Sequence, residues 1–409
     1  MEDVKQELAR LARAAVSDCE AGPRTRAAIE AWWSKLEEPE RAVELIAAGK
    51  AAASMAMAAH EVIGDARGLA VTKDGHHRGF VADGLELRFA AHPAPDARSE
   101  AAGRAVEARL RRVPQGGRVV ALWSGGASSL LSAPLPGLTL ANVKTTTDRL
   151  LAGGCTIDEI NAVRKQILRA TGGRLAAATK APIDVFVVSD VLGDDLATIG
   201  SGPFARDESL PLAQEVVSRV EVPDAVRSQV MAAKPSTIEV DHVTHHLIAS
   251  VQTLMAAAAA RAEAEGWIVR RLAPAGDPME AAVARLSEAQ RDLKPGELLV
   301  TGGEPTMVLP DAHGRGGRAQ HLALRMAEVL AGAPDCAFLA AGSDGTDGPT
   351  PAAGAVVDGS HWEAWGDAAG LARDRCDAHP LLEEAGVTLT WGGTGTNVLD
   401  LHLLARARI

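Results

Sequence analysis

Several common kinds of site are missing from this sequence, and each absence removes a class of function. The cysteines, Cys19, Cys155, Cys336 and Cys376, stand far apart and make no C-x-x-C pair. That argues against a zinc centre or a disulfide framework and fits a reducing cytoplasm. No apolar run approaches the roughly 18 residues that cross a bilayer. The opening "MEDVKQELARLARAAVSDCE" is a charged amphipathic helix pattern without the apolar core of a signal peptide. There is no basic surplus either: the net charge is -11 over 409 residues, the wrong sign for a general nucleic-acid binder. The expectation is a soluble intracellular chain, monomer or homodimer, whose partners are small molecules rather than membranes or nucleic acids.

Familiar catalytic signatures are absent as well. No G-x-G-x-x-G follows a strand with an acidic residue about 20 positions on, and no G-x-x-x-x-G-K-[ST] occurs. The serines of "GASSL" lack the G-x-S-x-G elbow of serine hydrolases. The histidine pairs His76-His77 and His245-His246 are adjacent and lack the i, i+4 spacing of a helical zinc site. There is no fixed-period repeat, and low complexity is confined to short alanine runs such as 256–260.

What is present is an ordinary globular composition, 47% hydrophobic and 23% charged, in a chain long enough for two cores. Short apolar runs alternate with helical patterns, which favours an α/β architecture with largely parallel sheets. "AVELIAAG", "GRVVALW", "IDVFVVSD", "THHLIAS", "WIVRRLA" and "CAFLAAG" read as strands, and "GELLVTGGEPTMVL" reads as two strands around a sharp turn. "KAAASMAMAAHEVIG", "TTTDRLLAGG", "TIDEINAVRKQILRA" and "VQTLMAAAAARAEAEG" read as helices, as does a last segment through "TNVLDLHLLA". The pattern weakens into short helices over about residues 207–243, a linker zone. The reading is two Rossmann-like α/β/α domains, 1–240 and 241–409, with an active-site cleft between them.

Five apolar runs end in one chemical vocabulary of small, backbone-exposing and charged residues. They lead to Gly49-Lys50, to "SGGASS" (124–129), to Ser189-Asp190, to "TGGE" (301–304) and to "GSDGTDG" (342–348). In open α/β sheets the carboxyl ends of strands are where ligands bind, so these ends point to a shared site. Lys50 stands where a strand turns into a helix, a place for a cation that meets an anion. The amides of the "SGGASS" turn suit a phosphate. Asp190, Asp194 and Asp195 in "VSDVLGDD", and Asp344 and Asp347 in "GSDGTDG", are carboxylates that either hold Mg²⁺ or accept a proton, or else serve as turn residues. "HGRGGRAQ" (313–320) is a glycine-rich turn opening a helix, with Arg318 at its edge.

The stretches "GKAAASMA", "HPAPDARS", "SGGASSLL", "EINAVRKQI", "VVSDVLGDDLATIGSGP", "TGGEPTMVL", "GRGGRAQ", "AAGSDGTDGPTPAAGA" and "TGTNVLD", taken in order, make the chain resemble the glycerate 2-kinase family with a C-terminal MOFRL domain. That family is also labelled hydroxypyruvate reductase. The resemblance runs from about residue 45 to 401. It implies transfer of the ATP γ-phosphate to the 2-hydroxyl of D-glycerate with a divalent metal such as Mg²⁺. Lys50 and Arg318 are its implied catalytic cations, joined by Asp190. ATP and the substrate would be surrounded by Ser124, Gly125, Gly126, Ser128, Gly303, Glu304, Asp344, Asp347 and Asn397, and the metal would be held by Asp190 and Asp195.

The sequence departs from the family pattern in three places. Ala319-Gln320-His321 stands for Asn-Gln-Glu, Val251 for asparagine, and Gly392-Gly393 for Gly-Pro. Two rival readings are a nicotinamide-dependent hydroxypyruvate reductase and a non-catalytic ligand-binding relative. The missing dinucleotide fingerprint weighs against the first, and the intact Lys50 and Arg318 weigh against the second.

Overall fold

The apolar runs assemble into two six-stranded sheets in a computed structural model that describes residues 1–37, 42–77 and 79–408. The first sheet holds β1 (Val43–Ala48), β2 (Arg67–Lys73), β3 (Leu85–Ala90), β4 (Arg118–Trp123), β5 (Ile183–Val188) and β6 (Val243–Ala249), in the order β3-β2-β1-β4-β5-β6. The pairings β3–β2, β2–β1, β1–β4 and β4–β5 are parallel. This is the doubly wound order, in which the chain builds outward from β1 on one side and restarts at β4 on the other. β5 reads "IDVFVV" and is buried at every position, the near-continuous apolar run that a sheet covered on both faces requires.

The second sheet holds β7 (Ile268–Arg271), β8 (Glu297–Gly303), β9 (Cys336–Gly342), β10 (Gly354–Asp358), β11 (Thr388–Leu389) and β12 (Asp400–Arg406), in the order β11-β10-β9-β12-β8-β7. Only β7–β8 is parallel here, while β12 runs antiparallel to both β8 and β9, and β10 antiparallel to β9 and β11. The α/β class holds for both sheets, but the expectation of largely parallel sheets holds only for the first. β9 and β10 are joined without an intervening helix, and a direct return of that kind gives antiparallel neighbours.

Two segments take a different form from the one their sequence suggests. "DLHLLAR", read as part of a closing helix, is β12, with all residues but the last buried. A short run that is apolar on both sides suits a central strand and a buried helix equally well, and pairing with β8 and β9 decides the matter. In "GELLVTGGEPTMVL" the first half is β8, but the second half is no strand, and Val308 is 95% exposed. The zone over residues 207–243 is not a linker. Its helices Leu210–Arg219 and Asp224–Ala232 pack Val216, Val217, Val226 and Val230 against Val143, Leu150, Ile160 and Val163.

The chain divides into two compact units, one of Ala21–Ile248 and one of Met1–Glu20 with Ala249–Ile409. β6, which the sequence reading places at the start of the second domain, is an outer strand of the first sheet. The opening helix Glu2–Ser17 belongs to the second unit, burying Leu8, Leu11, Ala12, Ala15 and Val16. Polar contacts flank this apolar stripe: Lys5 Nζ lies 3.1 Å from Asp358 Oδ2, and Trp267 Nε1 donates to Glu7 Oε1 at 2.7 Å.

Candidate active site

In the first unit, parallel strands bring their carboxyl ends to one edge, and the strand order reverses between β1 and β4. Such a reversal opens a crevice between the loops that leave the two strands. Gly49-Lys50 and Ser124-Gly125-Gly126 are these two loops. They are stitched together: the Lys50 amide donates to the Gly125 carbonyl at 2.9 Å, and the Ala51 amide donates to Ser124 Oγ at 3.1 Å. Gly49 makes the approach possible, since a Cβ there would fall 2.1 Å from Ser124 Oγ. Ser124 therefore acts as the clamp that shapes the turn carrying Lys50.

Asp190, one residue past the Ser189 that follows β5, lies against Gly125. A Cβ on that glycine would sit 1.8 Å from Asp190 Oδ2. Gly126 has φ +86°, and a Cβ there would meet the His92 ring at 3.0 Å and Lys50 Cγ at 3.4 Å. Lys50, Gly125, Gly126 and Asp190 thus form one constellation, and Ser128 borders it through its carbonyl, which accepts from Arg164 Nη2 at 3.2 Å. Among the described residues the Lys50 ammonium has no carboxylate in ion-pair reach.

Sequence reasoning singled out neither His92 nor Arg164, although both lie in stretches that carry the resemblance. His92 follows β3 in "HPAPDARS", where Asp96 caps the helix Ala97–Leu110. Its pKa is pushed down to about 4 by burial first and then by the charges of Lys50, Lys73, His76 and Arg164. Arg164, in "EINAVRKQI", is only 6% exposed, and burial pulls its pKa down to about 10. The only signal in the sequence was an arginine set among the apolar residues of its helix.

Asp195 fits a metal poorly. Its Oδ1 accepts the Ala197 amide at 3.1 Å and its Oδ2 the Thr198 hydroxyl at 2.6 Å, the bonds of a local turn. Among the described residues no group of three or more His, Cys, Asp or Glu side chains is placed to hold a metal ion. A magnesium ion needs no such cage, because it binds through one or two carboxylates and the substrate's phosphates. Asp195, with both oxygens engaged in its own turn, is the weaker of the two candidates.

The second unit has its own cluster, at the carboxyl ends of β8 and β9 and the amino end of the antiparallel β12. Arg318 and Glu304 form an ion pair there. The Glu304 amide donates to the Ala275 carbonyl at 3.1 Å, and Gly303 presses its Cα onto the same backbone. Asp344 accepts the amide and hydroxyl of Thr346 at 2.9 and 3.0 Å, a side-chain turn. Asn397 lies in the segment just before Val398, whose amide donates to Ser343 Oγ at 2.7 Å. Asp400, missed by sequence reasoning, opens β12. Complete burial drives its pKa well up, opposed by the nearby charge of Arg318.

Asp347 turns out to be the cap of the helix Arg318–Leu330. Its Oδ1 accepts the Ala319 amide at 3.1 Å and its Oδ2 the Gln320 amide at 2.8 Å. Gln320 Nε2 also donates to Asp347 Oδ2 at 3.0 Å, and Gln320 Oε1 meets His379 Nδ1 at 2.8 Å. The glycines of "HGRGGRAQ" serve this carboxylate and its neighbour: a Cβ on Gly317 would lie 2.2 Å from Asp347 Oδ1, and one on Gly314 2.1 Å from Asp377. The helix end that this glycine-rich turn opens is filled by an aspartate of the same chain.

A doubly wound sheet with a cationic, glycine-lined edge, joined in one chain to a mixed sheet with an Arg–Glu pair at its edge, describes an α/β enzyme equipped to receive anions. Comparison with known proteins sharpens this. Residues 7–234 match a family described as a domain of unknown function (DUF4147), and residues 297–400 match the MOFRL family. A D-glycerate 2-kinase of Thermotoga maritima is 37% identical over 88% of this chain and 89% of its own. A glycerate 2-kinase of Pyrococcus horikoshii is 33% identical over 87% and 85%. The crystal structure of a glycerate kinase from Thermotoga maritima superposes with a TM-score of 0.90 at 32% identity, over 100% of both chains. The chain belongs to the glycerate 2-kinase family that carries a MOFRL domain.

Proposed function

We infer that this protein is an ATP-dependent kinase that phosphorylates the 2-hydroxyl of D-glycerate and releases 2-phosphoglycerate and ADP. The observation that carries the reading at the site is the edge of the first sheet, where Lys50 lies beside Gly126 and the charges of Lys50, Lys73 and Arg164 all reach His92. Phosphoryl transfer asks for positioning and positive charge more than for covalent chemistry. A nicotinamide-dependent reductase is not favoured, because the turn between β1 and its helix reads "GKAAASMA" and lacks the glycines that admit a dinucleotide.

In this reading Asp190 orients the 2-hydroxyl and takes its proton as the oxygen attacks the γ-phosphorus and the bond to the ADP oxygen breaks. Lys50 and Arg318 balance the negative charge of the transferring group. The amides of Gly125 and Gly126 contact phosphate oxygens. Gly303, Glu304, Asp344 and Asn397 line the nucleotide's side, and Asp347 contributes by fixing the helix that begins with Arg318. Magnesium, held by Asp190 together with phosphate oxygens, would neutralise charge on the nucleotide when bound. The cytoplasm, where ATP is made and thiols stay reduced, suits this reaction.

The test is ADP release over D-glycerate, L-glycerate and related hydroxy acids, repeated with Lys50→Ala and Arg318→Ala. Each variant should lose on the order of 10³-fold in kcat. Full activity in both would remove these residues from the mechanism. Consumption of reduced nicotinamide with hydroxypyruvate, without coupling enzymes, would instead establish the reductase.

A further inference from the structure

Arg164 is a buried cation that has no carboxylate partner among the described residues. It sits on the helix Ile157–Lys165 among Ile160, Val163, Ile167 and Leu168, which are fully or almost fully buried. Its neighbour Lys165 has a carboxylate, Asp207, at 3.7 Å. Among the described residues Arg164 has none. Its hydrogen bonds there go to neutral oxygens through one nitrogen, to the Ser128 carbonyl at 3.2 Å and to Ser132 Oγ at 3.5 Å. A guanidinium carries five N–H donors in a fixed plane, so most of this donor set remains for another partner.

Burying a charge without a counter-charge costs several kcal/mol by general estimate. A neutral carbonyl and a hydroxyl offset little of that. The position of the guanidinium suggests what compensates it. It touches the turn that carries Gly125 and Gly126, and its charge reaches His92, whose ring lies over Gly126 beside Lys50. The buried cation therefore belongs to the inner wall of the constellation that also holds Lys50 and Asp190.

We propose that Arg164 binds the carboxylate of the acceptor and so selects a 2-hydroxy acid over a neutral alcohol. A planar fork of donors matches the two oxygens of a carboxylate. A carboxylate is also the part of the acceptor that does not react, and it belongs on the enclosed side, away from the nucleotide. His92, held neutral, supplies a further hydrogen bond without adding a charge. This assignment rests on the kinase reading given above.

The experiment compares Arg164→Gln and Arg164→Lys with the unaltered enzyme. The readouts are KM for D-glycerate, KM for ATP, and the ratio of kcat/KM for D-glycerate to that for glycerol. Losing a charge-assisted pair should raise KM for D-glycerate about 10-fold or more in Arg164→Gln. KM for ATP should stay within about twofold, and the preference for glycerate over glycerol should shrink by the same factor as KM rises. Arg164→Lys should recover part of the loss. If both KM values and kcat worsen together while the glycerate-to-glycerol ratio stays constant, Arg164 is only a brace for the turn and the proposal fails. If Arg164→Gln does not fold, Arg164→Lys is judged by the same ratio. Calorimetric binding of D-glycerate to each protein separates this idea from the kinase reading. Binding that depends on Arg164 in a chain that makes no ADP would sink the kinase and keep the site, whereas binding that ignores Arg164 would sink the site alone.

Discussion

Asp190 and Gly125 touch so closely that no side chain fits between them: a Cβ on the glycine would lie 1.8 Å from Oδ2 and 2.5 Å from Cγ of the aspartate. The carbonyl of the same glycine holds the Lys50 amide. Gly125 is therefore the spacer between a carboxylate and the backbone turn that carries Lys50. Gly125→Ala should push Asp190 out of place and cost about 100-fold or more in kcat, with a loss of roughly 1–3 kcal/mol in stability from overpacking. Steady-state kinetics and urea unfolding on the same preparation check both parts. A variant with unchanged kcat would show that the spacing does not matter.

Asp347 is expected to matter for stability before it matters for nucleotide. Removing a helix cap costs about 0.5–2 kcal/mol, and because the Gln320 backbone amide that loses its acceptor is buried, Asp347→Ala should fall at or above the top of that range. Denaturant unfolding should show a fall of a few kcal/mol. ATP affinity measured on the folded fraction should change far less than in an Arg318→Ala protein. The reverse order of effects would restore Asp347 to the nucleotide site.

Two buried histidines make the second unit sensitive to acid. Burial lowers His402 to about 3, and burial followed by the charge of Arg325 lowers His321 to about 4, against 6.5 for a free imidazole. Between those values the unfolded chain binds more protons than the folded one, so stability is complete above about pH 6.5 and falls as the pH drops toward 4. The slope is at most about 1.4 kcal/mol per pH unit for each histidine. Asp400 acts in the opposite sense, because its raised pKa favours the folded form at low pH. The signature is thus a difference between proteins: His402→Leu should unfold with a flatter pH dependence below pH 6.5. Both ring nitrogens of His402 are buried without a hydrogen-bond partner among the described residues, so the same variant should gain about 1 kcal/mol at pH 7. Parallel pH profiles for the two proteins would contradict this.

His321 stands directly after the motif that supplies Arg318, where the pattern that the sequence resembles has a glutamate. Its charged neighbours are Arg325, Glu280 and Arg373, none of them a candidate site residue. Arg325 is already paired with Glu280. His321→Glu should leave KM for D-glycerate within about twofold and should weaken the acid sensitivity. A changed acceptor profile would show that this face of the helix communicates with the substrate.

Much of this molecule could be read before it was seen, and the unread parts share a cause. β1, β4 and β5 were legible because each apolar run stops at a glycine or serine, and the chemistry collected at those ends follows from parallel pairing alone. β12 was illegible because "DLHLLAR" takes its form from β8 and β9, which lie far back in the chain. The glycine-rich turn at 313–320 was visible in the sequence, but Asp347, the group that Gly317 makes room for, lies on a separate loop. Arg164 carried no mark beyond its apolar surroundings. An unpaired charge becomes visible only when the neighbours that might have paired with it are known.

The helix Glu2–Ser17 completes the unit formed by the far end of the chain. On a ribosome it leaves the exit tunnel more than 300 residues ahead of the strands β9 and β10 that it packs against. All of Ala21–Ile248 can fold in between. For that interval Leu8, Leu11 and Val16 remain a greasy stripe without a home. The second unit is therefore born open, and it closes like a clasp only once β9 and β10 have emerged.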